Sequence, residues 1–263
     1  MLRVLKRLGL MMLGIVVFTA VLVGLQWLLQ KFHTPAVIVA IITLVLALVV
    51  YWGYERYTER RIPAEVAPKR MLRLTILGLL FGLVIFSITI GVIALAGDYR
   101  IIGSAWSTAL LVAFVALLAD AAAEEIIFRG FIFRTCRDLW GPWIALAISA
   151  VLFGAIHAFN PHATVVSSVA IAIEAGVLLA VAYAVTESLW FPIGIHAGWN
   201  FSESMIYGTN VSGIVVHDTL FSSRLAGPDV LTGGSFGPEA SIVAVAVCLV
   251  ASLALGWSRR RIA

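Results

Sequence analysis

The chain has 263 residues, 62% apolar and only 12% charged, with a mean hydropathy of +1.04. Soluble domains carry roughly 45–50% apolar and 25% charged residues, and so few charges cannot cover a globule of this size, so a water-soluble fold is excluded and lipid must solvate much of the surface. The net charge of +4 is mild, and two cysteines make no disulfide framework, so Cys136 and Cys248 read as packing residues.

A spanning helix needs about 20 apolar residues. In chain order, runs of that kind cover 8–29, 35–54, 74–96, 101–128, 143–158, 165–185, 189–207 and 240–257. The first follows Arg3, Lys6 and Arg7 but is longer than a signal-peptide core, and no small-x-small site follows, so it reads as an uncleaved span. The break between the sixth and seventh rests on Thr186, Glu187 and Ser188. None of the runs has the apolar/polar alternation of a barrel strand, which leaves helices as the spanning element. The predicted fold is all-α: a polytopic transmembrane helix bundle of about eight spans.

An even number of spans puts both termini on one side. That side then holds Arg3, Lys6, Arg7; Arg56, Arg60, Arg61, Lys69, Arg70, Arg73; Arg129, Arg134, Arg137; and Arg259, Arg260, Arg261, fifteen of the eighteen basic residues. Lys31, Arg100 and Arg224 fall on the other. The positive-inside rule makes the basic side cytoplasmic. Juxtamembrane Lys and Arg of this kind point to topology and anionic-lipid contact, not to nucleic acid. Trp52, Trp140, Trp143, Trp190 and Trp257 near span ends read as interface anchors, and His33, His162 and His217 as loop residues. The longest polar stretches are 55–73 and 208–239; the second, with Gly233-Gly234-Ser235-Phe236-Gly237-Pro238, is either a binding loop or a passive connector.

Ionisable side chains inside spans cost roughly 2.5–3.5 kcal/mol each on insertion scales, so they are functional candidates by default. The fourth run ends Asp120-Ala-Ala-Ala-Glu124-Glu125-Ile-Ile-Phe-Arg129, the fifth ends Phe153-Gly-Ala-Ile-His157, and the seventh contains His196-Ala-Gly-Trp-Asn200. At i,i+4, Glu125 and Arg129 pair along one helix face, which leaves Glu124, about 100° away, to face a cavity. His196, Asn200 and Glu203 form a polar stripe, and Phe153 shares a face with His157. If the chain reverses at Gly141-Pro142, Glu124 and His157 each lie about 24 Å from that turn and meet at one height. His196 is only about 10 Å from the start of its own span. That mismatch requires either that the helix around Arg134, Arg137 and Asp138 projects from the membrane or that Pro192 breaks the seventh helix.

A carboxylate in a low-dielectric pocket is a general base for water, an imidazole holds the water or moves its proton, and His and Asn donors stabilise an oxyanion. Amide hydrolysis is the reaction class this set suits, and the absence of a Ser or Cys beside it favours attack by water. The same residues admit zinc with an open position, from Glu124, His157 and His196. No metal is favoured, and zinc remains the alternative cofactor. Each motif also has a structural reading, as a helix-stabilising pair or as hydrogen-bonding glue between helices. Glu174, Asp120 and Glu203 lie outside the motifs.

Glu124-Glu125-x-x-x-Arg129, Phe153-x-x-x-His157 and His196-x-x-x-Asn200, in that order on successive spans, resemble the three motifs of the CAAX-protease and bacteriocin-processing (CPBP, or Abi) intramembrane proteases, which include the type II CAAX prenyl endopeptidases. The resemblance covers about 104–207, and the Gly-Gly-Ser-Phe-Gly-Pro-Glu stretch before the last span is similar to bacterial members. It implies a catalytic set of Glu124 as water-activating base, His157 as its partner, and His196 with Asn200 on the oxyanion side. Glu125 and Arg129 would be supporting residues. Both glutamate-dependent and metal-dependent mechanisms are ascribed to the family. The resulting expectation is an intramembrane endopeptidase acting on a membrane-associated protein or peptide, with 1–100 as N-terminal spans and 101–263 as the protease core. Its partners would be lipids and that substrate, and its location a bacterial inner membrane. The alternatives are a proton-coupled transporter and a non-catalytic membrane partner or immunity protein on the same scaffold.

Overall fold

The computed structural model describes the backbone of residues 1–262 and the side chains of residues 1–257. Arg259, Arg260 and Arg261 of the orientation pattern lie outside the described side chains. All eight apolar runs are helical over most of their length. The first two are α1 (Leu2–Lys31) and α2 (Ala36–Tyr57). Two 3₁₀ turns (Ala64–Val66, Pro68–Arg70) lead into α3 (Met71–Leu95). Next, α4 (Ala109–Glu125) continues through a π-helical segment (Ile126–Phe133) into α5 (Arg134–Trp140). Gly141, at φ +87°, makes the turn, and Pro142 opens α6 (Pro142–Ile156), where its missing N–H costs nothing.

The sixth run is α7 (Val165–Ile171), a π segment (Ala172–Gly176) and α8 (Val177–Thr186). Glu187, left-handed at φ +51°, ends it, so the boundary expected at 186–188 is present. Then come α9 (Trp190–Phe201) with a π extension (Ser202–Ile206), the short α10 (Asp229–Thr232) and α11 (Ile242–Ile262). By length and apolarity alone, five helical stretches are sufficient to cross a membrane: Leu2–Lys31, Ala36–Tyr57, Ala64–Leu95, Pro142–Phe159 and Val165–Thr186. The chain is an integral membrane protein with an all-α bundle, and the expected count of eight spans is met only roughly, by these five stretches.

One expectation fails at the start of the fourth run, which was to be helical from Ile101. Residues Tyr99–Ser104 instead form strand β1, antiparallel to β2 (Phe221–Leu225), with Tyr99 opposite Leu225 and Ser104 opposite Phe221. The β-branched pair Ile101-Ile102 followed by Gly103-Ser104 favours extended backbone over helix. The helix begins only after Ser107, whose hydroxyl accepts the Ala109 N–H at 3.1 Å. The 208–239 stretch is therefore paired to the α3–α4 connection and is not a free connector.

Arg7, Arg61, Arg134 and Arg137 gather at the opposite end of the bundle, in ion pairs with Glu59, Glu55, Glu65, Asp138 and Glu187. Arg134 is a correction: counted as a juxtamembrane loop cation, it is buried and bound to Glu55 at 2.8 Å. Trp190 is another, since it is buried and donates its indole N–H to the Ala67 carbonyl at 3.1 Å, so it is not an interface anchor.

The depth mismatch resolves at this end. The N–H of Leu189, just before α9, bonds the Glu65 carbonyl. Glu65 is tied through Arg61 to Glu55 and so to Arg134, which puts the start of α9 near the level of Arg134. The remainder of α5 projects past it. Pro192 breaks nothing, because it sits in the first turn of α9, where backbone N–H groups have no intrahelical partner anyway.

What fixes α9 laterally is a contact of backbone on backbone. Gly78 and Gly82 of α3 face Gly194 and Gly198 of α9. A Cβ at Gly82 would lie 2.2 Å from the Ile195 carbonyl oxygen, and one at Gly198 would lie 2.4 Å from that of Leu79. This is a small-xxx-small interface on both helices, the packing available where lipid supplies no hydrophobic drive. α6 is held in the same way: a Cβ at Gly154 would be 2.3 Å from the Ser168 carbonyl oxygen, and one at Gly176 would be 2.8 Å from Ala150 Cα.

Candidate active site

The last turn of α4 carries two adjacent carboxylates with different surroundings. Glu125 is fully buried and takes Arg129 Nη1 on Oε1 at 2.7 Å. Arg129 is buried too, and its Nη2 donates to the carbonyls of Ala175 at 3.3 Å and Gly176 at 3.1 Å. Those carbonyls sit at the end of the α7–α8 π segment, where widening of the helix disturbs the i to i−4 ladder. The guanidinium also lies 4.7 Å over the Phe153 ring. An ion pair this dry survives only with such additional partners.

Glu124, about 100° round the helix, keeps 39% of its side chain exposed, and its Oε2 has no hydrogen-bond partner. His196 bridges the two acids. Its Nδ1 is 3.1 Å from Glu125 Oε1 and its Nε2 is 4.0 Å from Glu124 Oε2, the second beyond hydrogen-bond reach. On the facing helix His157 Nδ1 lies 2.7 Å from the Phe153 carbonyl. A carbonyl only accepts, so Nδ1 carries the proton and Nε2 presents a lone pair. The Phe153 ring contacts both imidazoles, tilted 40° to His157 at 4.7 Å and edge-on to His196 at 5.9 Å.

Glu124, His157, His196 and Asn200 all line one cavity of about 400 Å³, walled on the α1 side by Phe18, Leu22 and Gln26. The face assignments made from helical spacing therefore hold for Glu124, for Glu125 with Arg129, and for His157 over Phe153. The stripe expected through Glu203 does not continue: the π extension after α9 turns Glu203 inward, where its Oε2 accepts the Trp199 indole N–H at 2.9 Å.

A smaller inner pocket adjoins the same residues. His157, His196 and Asn200 line it together with Glu174, Ser212 and Glu239. Glu174, Glu203 and Glu239 are all buried, and Cys248 Sγ lies 3.4 Å from Glu174 Oε2. Ser212 and Glu239 come from the 208–239 stretch, whose Gly-Gly-Ser-Phe-Gly-Pro-Glu segment ends at Glu239 but was given no place at the site. The signal available in the sequence was the position of Glu239, a lone acid at the edge of an apolar run.

Among the described residues no three His, Cys, Asp or Glu side chains converge as a metal site. Glu124, His157 and His196 share one cavity, and of the three His196 Nε2 and Glu124 Oε2 lie 4.0 Å apart.

Residues 105–202 match the family described as type II CAAX prenyl endopeptidase Rce1-like. The three motifs all fall inside that stretch, and α1 to α3 lie outside it. No curated protein and no solved structure matches the chain.

Proposed function

We propose, from the match of residues 105–202 to the type II CAAX prenyl endopeptidase Rce1-like family, that the protein is an intramembrane endopeptidase in which Glu124 activates a water molecule to hydrolyse a peptide bond of a membrane-associated substrate. The observation that carries this reading is the contrast within one dipeptide. Glu125 is buried and paired with Arg129, while Glu124 keeps 39% of its side chain exposed on a cavity that also receives two imidazoles and an amide.

In the proposed reaction the Glu124 carboxylate takes a proton from water as the water oxygen adds to the scissile carbonyl carbon. The lone pair on His157 Nε2 accepts the second hydrogen bond of that water and orients it. Charge on the carbonyl oxygen is met by the Asn200 amide N–H. His196 contributes from Nε2 only as an imidazolium, because Glu125 already holds its Nδ1–H. As the C–N bond breaks, the proton on Glu124 passes to the leaving nitrogen, and the carboxylate is restored. The Glu125–Arg129 pair would hold His196 in place and remain outside the proton transfers.

Phe18, Leu22 and Ile127 on the cavity wall suit a lipid-embedded or lipidated peptide. With the basic end in the cytoplasm, both termini are cytoplasmic, and the short connections suit a bacterial inner membrane. The test is cleavage of a membrane-anchored peptide library by protein reconstituted in nanodiscs, read by mass spectrometry of new termini. Wild type should generate termini that Glu124→Gln does not. Equal cleavage by both would refute the role of Glu124, and no cleavage by wild type would favour a non-catalytic membrane partner. Adding a chelator in a parallel arm decides the zinc alternative, since glutamate-activated hydrolysis should continue.

A further inference from the structure

Beside the cavity at Glu124 lies a second one of about 230 Å³, opening at the α1–α2 turn around Thr34. Gln26, Thr43 and Asp120 line both, so the two form one groove between α1, α2 and α4 that runs from the end of α1 to Glu124. The sequence of the groove walls is selective. Between Leu8 and Lys31 the only side chains of α1 with hydroxyl or amide groups are Thr19, Gln26 and Gln30, and each lines one of these cavities. In α2 the only such residue before Tyr51 is Thr43, and it does the same. The outward faces of these helices are aliphatic, as at Val21, Leu28, Ile41 and Val45.

The groove also carries acids with nothing to bond to. Asp120, exposed and one turn before Glu124, makes no hydrogen bond or ion pair among the described residues, and Glu124 keeps 39% of its side chain exposed. An unpaired carboxylate facing hydrocarbon is expensive, whereas water in a roomy polar cavity satisfies several such groups at once. Lipid tails would satisfy none of them.

We infer that this groove is a water-filled passage that connects the membrane surface at the α1–α2 turn with Glu124. Its ligand is bulk water together with the small cations that Asp120 attracts. On the proposed hydrolytic reading, it replenishes the water consumed at the site without requiring the protein to open to lipid. The significance rests on that reading, but the passage itself is a property of the fold and is tested without any catalysis.

The test is thiol accessibility in nanodiscs with a charged, membrane-impermeant methanethiosulfonate, which reacts with the thiolate and so reports hydration. Gln26→Cys is compared with Val21→Cys and Leu28→Cys, which bracket it in depth on the lipid face of α1. The native Cys136 and Cys248 are both buried and set the baseline. Rapid labelling at 26 with no labelling at either bracketing position is the expected result. Labelling at 26 no faster than at its brackets would mean that lipid fills the groove and would overturn the inference, whether or not the protein cleaves any peptide.

Discussion

Two groups of buried charge occupy this bundle, and they differ in how completely they are satisfied. At the basic end Tyr51 and Arg61 both bond Glu65, and Arg61 and Arg134 both bond Glu55, so that no buried side-chain nitrogen or oxygen of the five lacks a partner. Around α4 and α9, Glu124 Oε2, Glu125 Oε2 and Arg129 Nε are all left without one. The second group lies beside about 400 Å³ of open space, which Glu124 lines. A closed network holds helix ends together, and an open one retains capacity to bind and to transfer protons. Charge inside a membrane protein is thus not by itself the mark of a reaction centre; unused capacity beside a cavity is.

Substitutions that strike one group and spare the other sharpen this contrast. The largest effect is expected for Glu124→Gln, which should lower cleavage by about 10²–10⁴-fold, the usual worth of a general base. It should leave the thermal unfolding midpoint in detergent nearly unchanged, because Oε2 makes no hydrogen bond to lose. Arg129→Met should remove about 3–5 kcal/mol of stability by leaving Glu125 buried and unpaired, read as a fall in the unfolding midpoint. Arg134→Met should cost less, because Glu55 keeps Arg61 as a partner, while cleavage per folded molecule persists. The double variant Glu125→Gln/Arg129→Met should regain most of the lost stability but not activity, since His196 loses the carboxylate that holds its Nδ1.

Gly82→Ala ranks next. Its methyl group would meet the Ile195 carbonyl and shift α9, costing about 1–3 kcal/mol as overpacking. Cleavage should suffer more than stability does, because His196 and Asn200 move with the helix. The smallest change is expected for Trp190→Phe at the closed end, where losing the bond to Ala67 should cost about 0.5–1.5 kcal/mol in the same unfolding assay and leave cleavage intact.

What the sequence revealed of these two groups follows from the range of the contacts. Glu125 and Arg129 are four residues apart on one helix, so helical spacing alone predicts their pair. The three polar motifs were legible because each stands inside an apolar run where charge is conspicuous. Glu55 and Arg134 are 79 residues apart, and at helix ends they are indistinguishable from orientation signals, so the closed network was invisible and Arg134 was misplaced. The strand pairing of 99–104 with 221–225 and the arrival of Ser212 and Glu239 at the inner pocket are long-range in the same sense. The π segments near Arg129, Glu174 and Glu203 have no sequence mark, yet they decide which carbonyls reach Arg129 and which way Glu203 turns.

The central claim is that Glu124 is chemically poised and Glu55 is structural. The most direct measurement is the single-turnover cleavage rate per folded molecule for Glu124→Gln and Glu55→Gln side by side, in nanodiscs, with folded fraction counted by size-exclusion chromatography. The account predicts a crossed result, with Glu124→Gln fully folded and without cleavage, and Glu55→Gln poorly folded but with wild-type cleavage in the molecules that fold. Wild-type cleavage per folded molecule in Glu124→Gln would contradict it.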